Sequence, residues 1–181
     1  MTNPPSAELA SALHLARWTI NSGSHVISRG AVVLASGEHQ WEASAEGNGP
    51  IDALFRAVDR ALHDVLTGHP RLLSYEVDSL GEGPDAVGLI RVAIAPPESA
   101  AGARSTGRYS GEAKSPNIIA ASIEAYIQAL NRLLGEEHWA GATEDAGNRR
   151  RAIREGQPER AEIDHAAGDH DITDWFNRSP R

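Results

Sequence analysis

In the segment AEGNGPIDALFRAVDRAL, residues 45–62, two glycines and a proline lead straight into an amphipathic helix. Pro50 suits a first helical position, because its missing N–H would have had no partner there and its φ is already helical. Ile51, Leu54, Val58, Leu62 and Val65 recur at spacings of three and four, which puts them on one stripe facing a core. Gly68, His69 and Pro70 then end the helix. The turn itself, Gly47-Asn48-Gly49-Pro50, lacks the G-x-G-x-x-G spacing of a dinucleotide site and the Gly-Lys-Ser/Thr of a P-loop. What it offers is a helix N-terminus, whose amides and partial positive charge suit a carboxylate. A plain helix-opening turn has the same sequence, so the segment alone leaves both meanings open.

Outward from this helix, RWTINSG (17–23), AVVLASG (31–37) and HQWEASAEG (39–47) read as strands, with Ser36-Gly37-Glu38 as a hairpin turn between the last two. Downstream, RLLSYEVDSL (71–80), DAVGLIRVAIA (85–95) and ARSTGRYSG (103–111) give three more, the middle one alternating through Ile90, Val92 and Ile94. A second helix is expected over 116–134. Each half is three strands followed by a helix that opens on a small-residue turn and a proline, Gly49-Pro50 and Ser115-Pro116, with Pro116 also read as a first helical residue. Small residues four apart, Ala53, Ala57 and Ala61 in one helix and Ala121, Ala125 and Ala129 in the other, let a strand face or another helix approach closely. The expected fold is α+β, two pseudo-symmetric β-β-β-α repeats in one domain. The second turn, with Lys114, Ser115 and Asn117, is sister to the first, and two such helix starts can converge on one small anionic or zwitterionic molecule.

At 181 residues and 40% hydrophobic, the chain has room for one domain with a real core, plus tails. Its 17 basic and 25 acidic residues give a net charge of −8, which argues against a nucleic-acid partner. With no cysteine there is no disulfide framework, no thiolate nucleophile and no sulfur-ligated zinc, which fits a reducing compartment and hence the cytoplasm. The start, MTNPPSAELASALHLARW, lacks the basic and apolar regions of a signal peptide, and no apolar run approaches the roughly 20 residues that span a bilayer. No membrane partner is expected. Residues 1–16 read as a flexible arm, 17–134 as the domain, and 135–181 as a polar tail too poor in branched aliphatics to offset its ordering entropy, hence largely disordered. Ile172, Trp175 and Phe176 cluster near its end, as a docking peptide, a clasp or an accident of composition.

No metal or cofactor is expected. The tail string DHAAGDHD supplies Asp164, His165, Asp169, His170 and Asp171 at a spacing that matches no defined metal site. His14, His25, His39, His63, His69 and His138 form no H-x-H or H-E-x-x-H pattern. There is no G-x-S-x-G elbow, Ser110 before Gly111 reads as a strand end, and the triplet Arg149, Arg150, Arg151 reads as a solvated patch. Candidates for proton transfer are Asp52, Tyr75, Tyr109 and Lys114, all near the two turns. An enzyme built on them needs a raised carboxylate or a lowered lysine pKa in a closed cleft.

Taken in order, EGNGPIDALFRAV, LLSYEVDSL, DAVGLIRVAI and YSGEAKSPNIIAASIEAYIQALNRLL resemble the C-terminal regulatory (allosteric, dimerisation) domain of 2-isopropylmalate synthase and its homocitrate and citramalate synthase relatives. The resemblance covers about residues 17–134, and its most specific parts are GNGPIDAL and SPNIIAASIEAYIQALNRL. It implies two β-rich repeats each closed by a helix, a homodimer, and a pathway end product such as leucine bound near the subunit interface for feedback inhibition. It also implies an effector site from Gly47, Asn48, Gly49, Pro50, Ile51, Asp52 and Ala53 at the first turn, Ser115, Pro116, Asn117 and Ile118 at the second, with Tyr75 and Gly111 beside them. Those synthases carry a metal-dependent catalytic barrel with an H-x-H that this sequence lacks, so their condensation reaction is not implied. The loop APPESAAGARSTG (95–107) and the acidic tail also depart from the family pattern. The resulting expectation is a free-standing regulatory domain that binds an amino acid or related 2-oxo or hydroxy acid and acts in trans on a synthase catalytic subunit. The alternatives are an enzyme of a specialised biosynthetic pathway using the same pocket, and an assembly protein with its tail as bait.

Overall fold

Glycine and alanine set how closely the helices lie on the sheets. A Cβ on Gly47 would fall 2.4 Å from the Ala53 amide nitrogen, and one on Gly111 would fall 1.9 Å from the Ala125 carbonyl oxygen and 2.8 Å from the Ala129 nitrogen. Ala53, Ala125 and Ala129, which face these glycines, are buried, as are Ala57, Ala61 and Ala121 in the same rows of small residues. The computed structural model describes residues 12–66, 68–97, 107–136 and 142–156. The chain divides into two compact units, Met1–Gly147 and Asn148–Arg181.

The first unit holds two three-stranded antiparallel sheets, each of consecutive strands and each followed by a helix. In the first half β1 (His14–Gly23), β2 (Val26–Ser36) and β3 (His39–Gly47) precede α1 (Pro50–Ala61), which packs on β2 and β3. A short helix α2 (His63–Leu66) follows. In the second half β4 (Arg71–Leu80), β5 (Val87–Ala95) and β6 (Tyr109–Ser115) precede α3 (Ile118–Leu134), which packs on β5 and β6. The α+β fold of two β-β-β-α repeats is therefore as the sequence implies. A last helix, α4, spans Ala142–Gly156.

The stripe is core, but α1 stops at Ala61 and not at Gly68: Leu54 and Val58 on α1 and Leu62 just after it are fully buried, Val65 on α2 nearly so, and Ile51 half-buried against them. Each such side chain contributes about 1.5–3 kcal/mol when taken fully from water. From the second sheet Ile90, Val92 and Ile94 enter the same core. The halves are tied by specific contacts as well. Phe55 of α1 stacks on Tyr126 of α3 with ring centroids 4.3 Å apart and meets Tyr75 of β4 edge-on at 6.1 Å. Asn131 of α3 accepts from the Leu13 amide (2.9 Å) and donates to the Leu13 carbonyl (2.7 Å), fixing the chain just ahead of β1.

The internal repeat reaches into polar detail. Arg29 pairs with Glu46 across β2 and β3, and Arg91 pairs with Glu112 across β5 and β6. Arg60 of α1 donates to the Ser44 carbonyl of β3, and Arg132 of α3 donates to the Ser110 carbonyl of β6.

Several boundaries differ from the sequence reading. β1 begins at His14, inside the expected arm, and β2 begins at Val26 rather than at residue 31. Ser28 and Gly30 lie on the buried side of β2, where a Cβ on Gly30 would fall 2.9 Å from Leu54 Cδ2, so packing favours small residues that do not advertise a strand. β6 runs over 109–115 instead of 103–111, because Gly111 is a mid-strand spacer under α3 and not a strand end. Pro116 is not a first helical residue: Asn117 caps α3, which begins at Ile118. The hairpin turn is as expected, with Ser36 paired to His39 and Gly37 at φ 57°. Within the tail expected to be disordered, residues 142–156 are helical, including the basic triplet, whereas the acidic histidine string and Ile172, Trp175 and Phe176 lie outside the described residues.

Candidate functional site

At the first turn Gly49 is the N-cap of α1, in extended conformation, with Pro50 at the first helical position. Glycine brings no capping side chain, and the helix start has no side-chain cap; Asp52 reaches back to the turn ahead of it. Its Oδ2 accepts from the Asn48 amide (2.9 Å) and its Oδ1 from Arg56 Nε (2.9 Å). The Arg56 hydrogen bond, with the Asn48 amide second, holds the Asp52 carboxyl below the usual carboxylate range. An anion already stands at this helix start, where the dipole favours one. The amides of Ile51 and Asp52 have no hydrogen-bond partner among the described residues. Gly47 and Ala53 serve close packing of α1 on β3, as their geometry above shows.

Beside this turn lies an open depression of about 450 Å³ lined by His25, Val26, Ile27, Glu46, Gly47, Asn48 and Arg56. The hairpin between β1 and β2 turns through His25 at φ 63° and leaves Val26 and Ile27 57% and 69% exposed. Two aliphatic side chains therefore stand next to a guanidinium and a helix start. A small molecule with an aliphatic group and charged ends fits that chemistry. His25, Val26 and Ile27 were not among the residues expected at the site; only the φ-positive turn and the pair of bare aliphatics at a hairpin tip could have marked them.

The second turn is built differently. Ser115 Oγ accepts from the Asn117 amide (3.0 Å), and Asn117 Oδ1 accepts from the amides of Ile119 (3.1 Å) and Ala120 (3.2 Å). Its own side chain thus satisfies amides that the sequence reading assigned to a ligand. Pro116 and Asn117 are exposed, and Ile118, 47% exposed, sits over Gly88, whose Cβ would fall 2.7 Å from Ile118 Cγ2. Ser115, Pro116, Asn117 and Ile118 do not line the depression at the first turn. Tyr75 lies between the halves, its hydroxyl 2.8 Å from Ser122 Oγ, which in turn donates to the Ile118 carbonyl. Gly111 has helix backbone where a ligand would stand.

The proton-transfer candidates do not come together. Tyr109 and Lys114 pair with Ile94 and Leu89 at opposite ends of the β5–β6 ladder, five residues and about 17 Å apart. An odd spacing also puts them on opposite faces. Burial, with Glu136 beside it, raises the Tyr109 hydroxyl, while Lys114 is exposed and Asp52 carries a lowered, solvent-open carboxyl.

The raised carboxyl is Asp59, which the sequence reading did not single out. Burial lifts it to about 6, against the Tyr126 hydroxyl, which donates to Oδ1 at 2.5 Å, and the positive charge of His69 and Arg56. Burial and the neighbouring Asp59 raise Tyr126 well above the tyrosine range. Asp59 borders a second depression, of about 920 Å³, with Arg29, Arg56, Arg60, His63 and His69 on its walls. Nothing local could reveal this, since Tyr126 is 67 residues away. Among the described residues no group of three or more His, Cys, Asp or Glu can hold a metal, and no helix is long and apolar enough to cross a membrane.

Two sister β-β-β-α repeats, with a Gly-Pro turn opening the first helix and tight glycine contacts under both, define the class as a pseudo-symmetric α+β repeat domain. The chain belongs to the LeuA allosteric (dimerisation) domain family, whose sequence pattern matches residues 6–134. It is 36% identical over 120 residues to a 2-isopropylmalate synthase of Ruminiclostridium cellulolyticum, covering 66% of this chain and 21% of that protein. To the 2-isopropylmalate synthase of Salinibacter ruber it is 37% identical over 107 residues, 59% of this chain and 17% of the relative. To that of Photorhabdus laumondii it is 32% identical over 120 residues, 65% and 20% of the two chains. The chain thus spans about a fifth of the length of these relatives.

Proposed function

We propose that this chain is an effector-binding regulatory domain: a homodimer that holds an amino acid or related 2-oxo or hydroxy acid and passes the occupancy of its pocket to a synthase. The family, an allosteric and dimerisation domain of 2-isopropylmalate synthases, supports the regulatory part of this reading. The observation that carries the ligand part is the depression at the first turn, where exposed Val26 and Ile27 stand beside the start of α1 and Arg56. The aliphatic pair suits a branched side chain, the Arg56 guanidinium on the same wall suits a carboxylate, and the Glu46 carboxylate suits an ammonium group. A zwitterion matches all three better than a simple acid does. The second turn, with Ser115, Pro116, Asn117 and Ile118, would complete the pocket from the partner copy.

Calorimetric titration with leucine, isoleucine, valine and their 2-oxo and 2-hydroxy acids tests this. Saturable heat with at least one of them is expected, weakened at least tenfold in Ile27→Asp. No heat and no thermal shift across the set would overturn the effector reading.

A further inference from the structure

The depression of about 920 Å³ in the first half holds a carboxylate that shares its walls with several basic side chains and pairs with none of them. Asp59 gives Oδ1 to the Tyr126 hydroxyl of α3. Among the described residues its Oδ2 has no hydrogen-bond partner, and the carboxylate forms no ion pair. That is unusual for a half-buried carboxylate, which is ordinarily paired or fully hydrogen-bonded. The basic groups beside it are equally unspent. Arg60 gives one N–H to the Ser44 carbonyl at 3.3 Å and has no carboxylate partner among the described residues. His63 of α2 and His69, just ahead of β4, stand with ring centroids 5.7 Å apart and make no hydrogen bond among the described residues. Arg56 is paired with Asp52, and Glu46, on the opposite wall, with Arg29. Asp64, also on the walls, is exposed on α2.

The sister depression in the second half, of about 490 Å³, shows what is particular here. It too has three guanidiniums, Arg91, Arg108 and Arg132, but no histidine lines it, and Arg91 already holds Asp78 and Glu112. In α1, Arg56 and Asp59 stand four and one residues ahead of Arg60, which ties β3; in α3, Gln128 and Asn131 stand four and one ahead of Arg132, which ties β6. Gln128 is spent on the Glu112 amide, and Asn131 on the Leu13 backbone. The second half therefore has neutral, engaged amides where the first has a charged pair facing a depression.

Guanidinium and imidazolium groups draw an oxyanion. A carboxylate among them repels every anion except one that brings it a proton, because an ionised carboxylate can only accept. Asp59, pushed up to about 6, is ionised at neutral pH. Sulfate then has no proton to offer, whereas hydrogen phosphate keeps a P–OH. The geometry points to a phosphate site in this depression, in which Arg60, His63 and His69 hold the anionic oxygens and Asp59 Oδ2 accepts from the P–OH. The depression leaves room for an organic group, so the phosphate is either free or the end of a phosphomonoester; the monoester, which loses its last proton near pH ~6, must keep that proton to bind. The site is distinct from the effector depression at the first turn, although Arg56 and Glu46 line both.

The test is an amide-resolved nuclear magnetic resonance titration of the full isotope-labelled chain, at neutral pH and constant ionic strength, with inorganic phosphate, glycerol 2-phosphate and sulfate. Saturable shifts centred on Arg60, His63 and His69 are expected with phosphate or the monoester, the tighter of the two naming the source, and at least tenfold weaker binding of sulfate. Asp59→Asn replaces an acceptor by a donor, so sulfate should then bind at least as well as phosphate. Arg60→Gln should weaken both anions at least fivefold with an unchanged circular dichroism spectrum. No saturable shift, equal affinity of the native protein for phosphate and sulfate, an unchanged preference in Asp59→Asn, or shifts centred on Asn48 and Ile51 would each overturn the site. If Asp59→Asn fails to fold, the phosphate-to-sulfate ratio of the native protein and the loss in Arg60→Gln decide. The amino-acid titration stands or falls separately, since its ligands carry no phosphate.

Discussion

Gly49 and Gly111 look alike in the sequence, each beside a polar turn ahead of a helix, yet they answer to different forces. A Cβ on Gly49 meets nothing within 4 Å, while one on Gly111 overlaps helix backbone that cannot step aside. Gly111→Ala should therefore cost about 3 kcal/mol or more of stability by overpacking, and Gly49→Ala about 1 kcal/mol, the difference between a glycine and an alanine N-cap; urea unfolding of both variants checks the contrast. Asp59 gives a prediction of opposite sign to an ordinary carboxylate. Its pKa rises from the ordinary 3.8 to about 6 on folding, so between those values the folded state keeps a proton the unfolded state has lost. Stability then falls as pH rises through that window and levels off above it. Asp59→Asn should flatten the profile and be more stable at pH 7 by roughly 1–2 kcal/mol, from a shift of about two pKa units discounted for partial exposure; parallel profiles would contradict it. Of these residues the glycines were visible in the sequence as turn formers, but their packing role was not, because it depends on where a helix comes to lie. Asp59 was invisible for the same reason: its partner Tyr126 comes from the other half.

At the scale of elements, the two helix starts diverge within a shared plan. α1 opens on a bare glycine with Asp52 reaching back, and α3 opens on Asn117, whose single oxygen serves two amides. Asn117→Ala should cost about 1 kcal/mol and speed hydrogen exchange at Ile119 and Ala120 by roughly fivefold, with no change at Ala53, as mass spectrometry of exchanged peptides can read. The β-β-β-α order, the stripe on α1 and the 71–80 strand were legible, since apolar periodicity and Gly/Pro punctuation are local signals. The start of β2 and the span of β6 were not. Their small residues, Ser28, Gly30 and Gly111, are there to admit helices, and by composition they resemble loops. The α4 helix was missed because its residues are polar, and polar helices carry no periodic stripe to detect.

For the whole first unit, cohesion comes from a seam between halves: Phe55 on Tyr126 and Tyr75, Tyr126 on Asp59, and Asn131 on Leu13. These contacts predict one cooperative unfolding transition for the two repeats rather than two, with Asn131→Ala lowering its midpoint while leaving it single; calorimetry distinguishes the cases. GNGP could be read as a turn opening a helix, but not by itself as part of a site. The aliphatic rim from Val26 and Ile27 could not, because the hairpin tip lies some twenty residues upstream and joins the turn only through the β2–β3 register. How the second turn takes part is a question of two copies, not of one. The most direct measurement is an amide-resolved nuclear magnetic resonance titration of the isotope-labelled chain with branched-chain amino acids. Saturable shifts should centre on His25, Ile27, Asn48, Gly49, Ile51 and Asp52, with Ile118 and its neighbours moving at the same ligand concentration. Shifts confined to the Arg60, His63 and His69 depression, or no shifts with any amino acid, would contradict an effector site at the first turn.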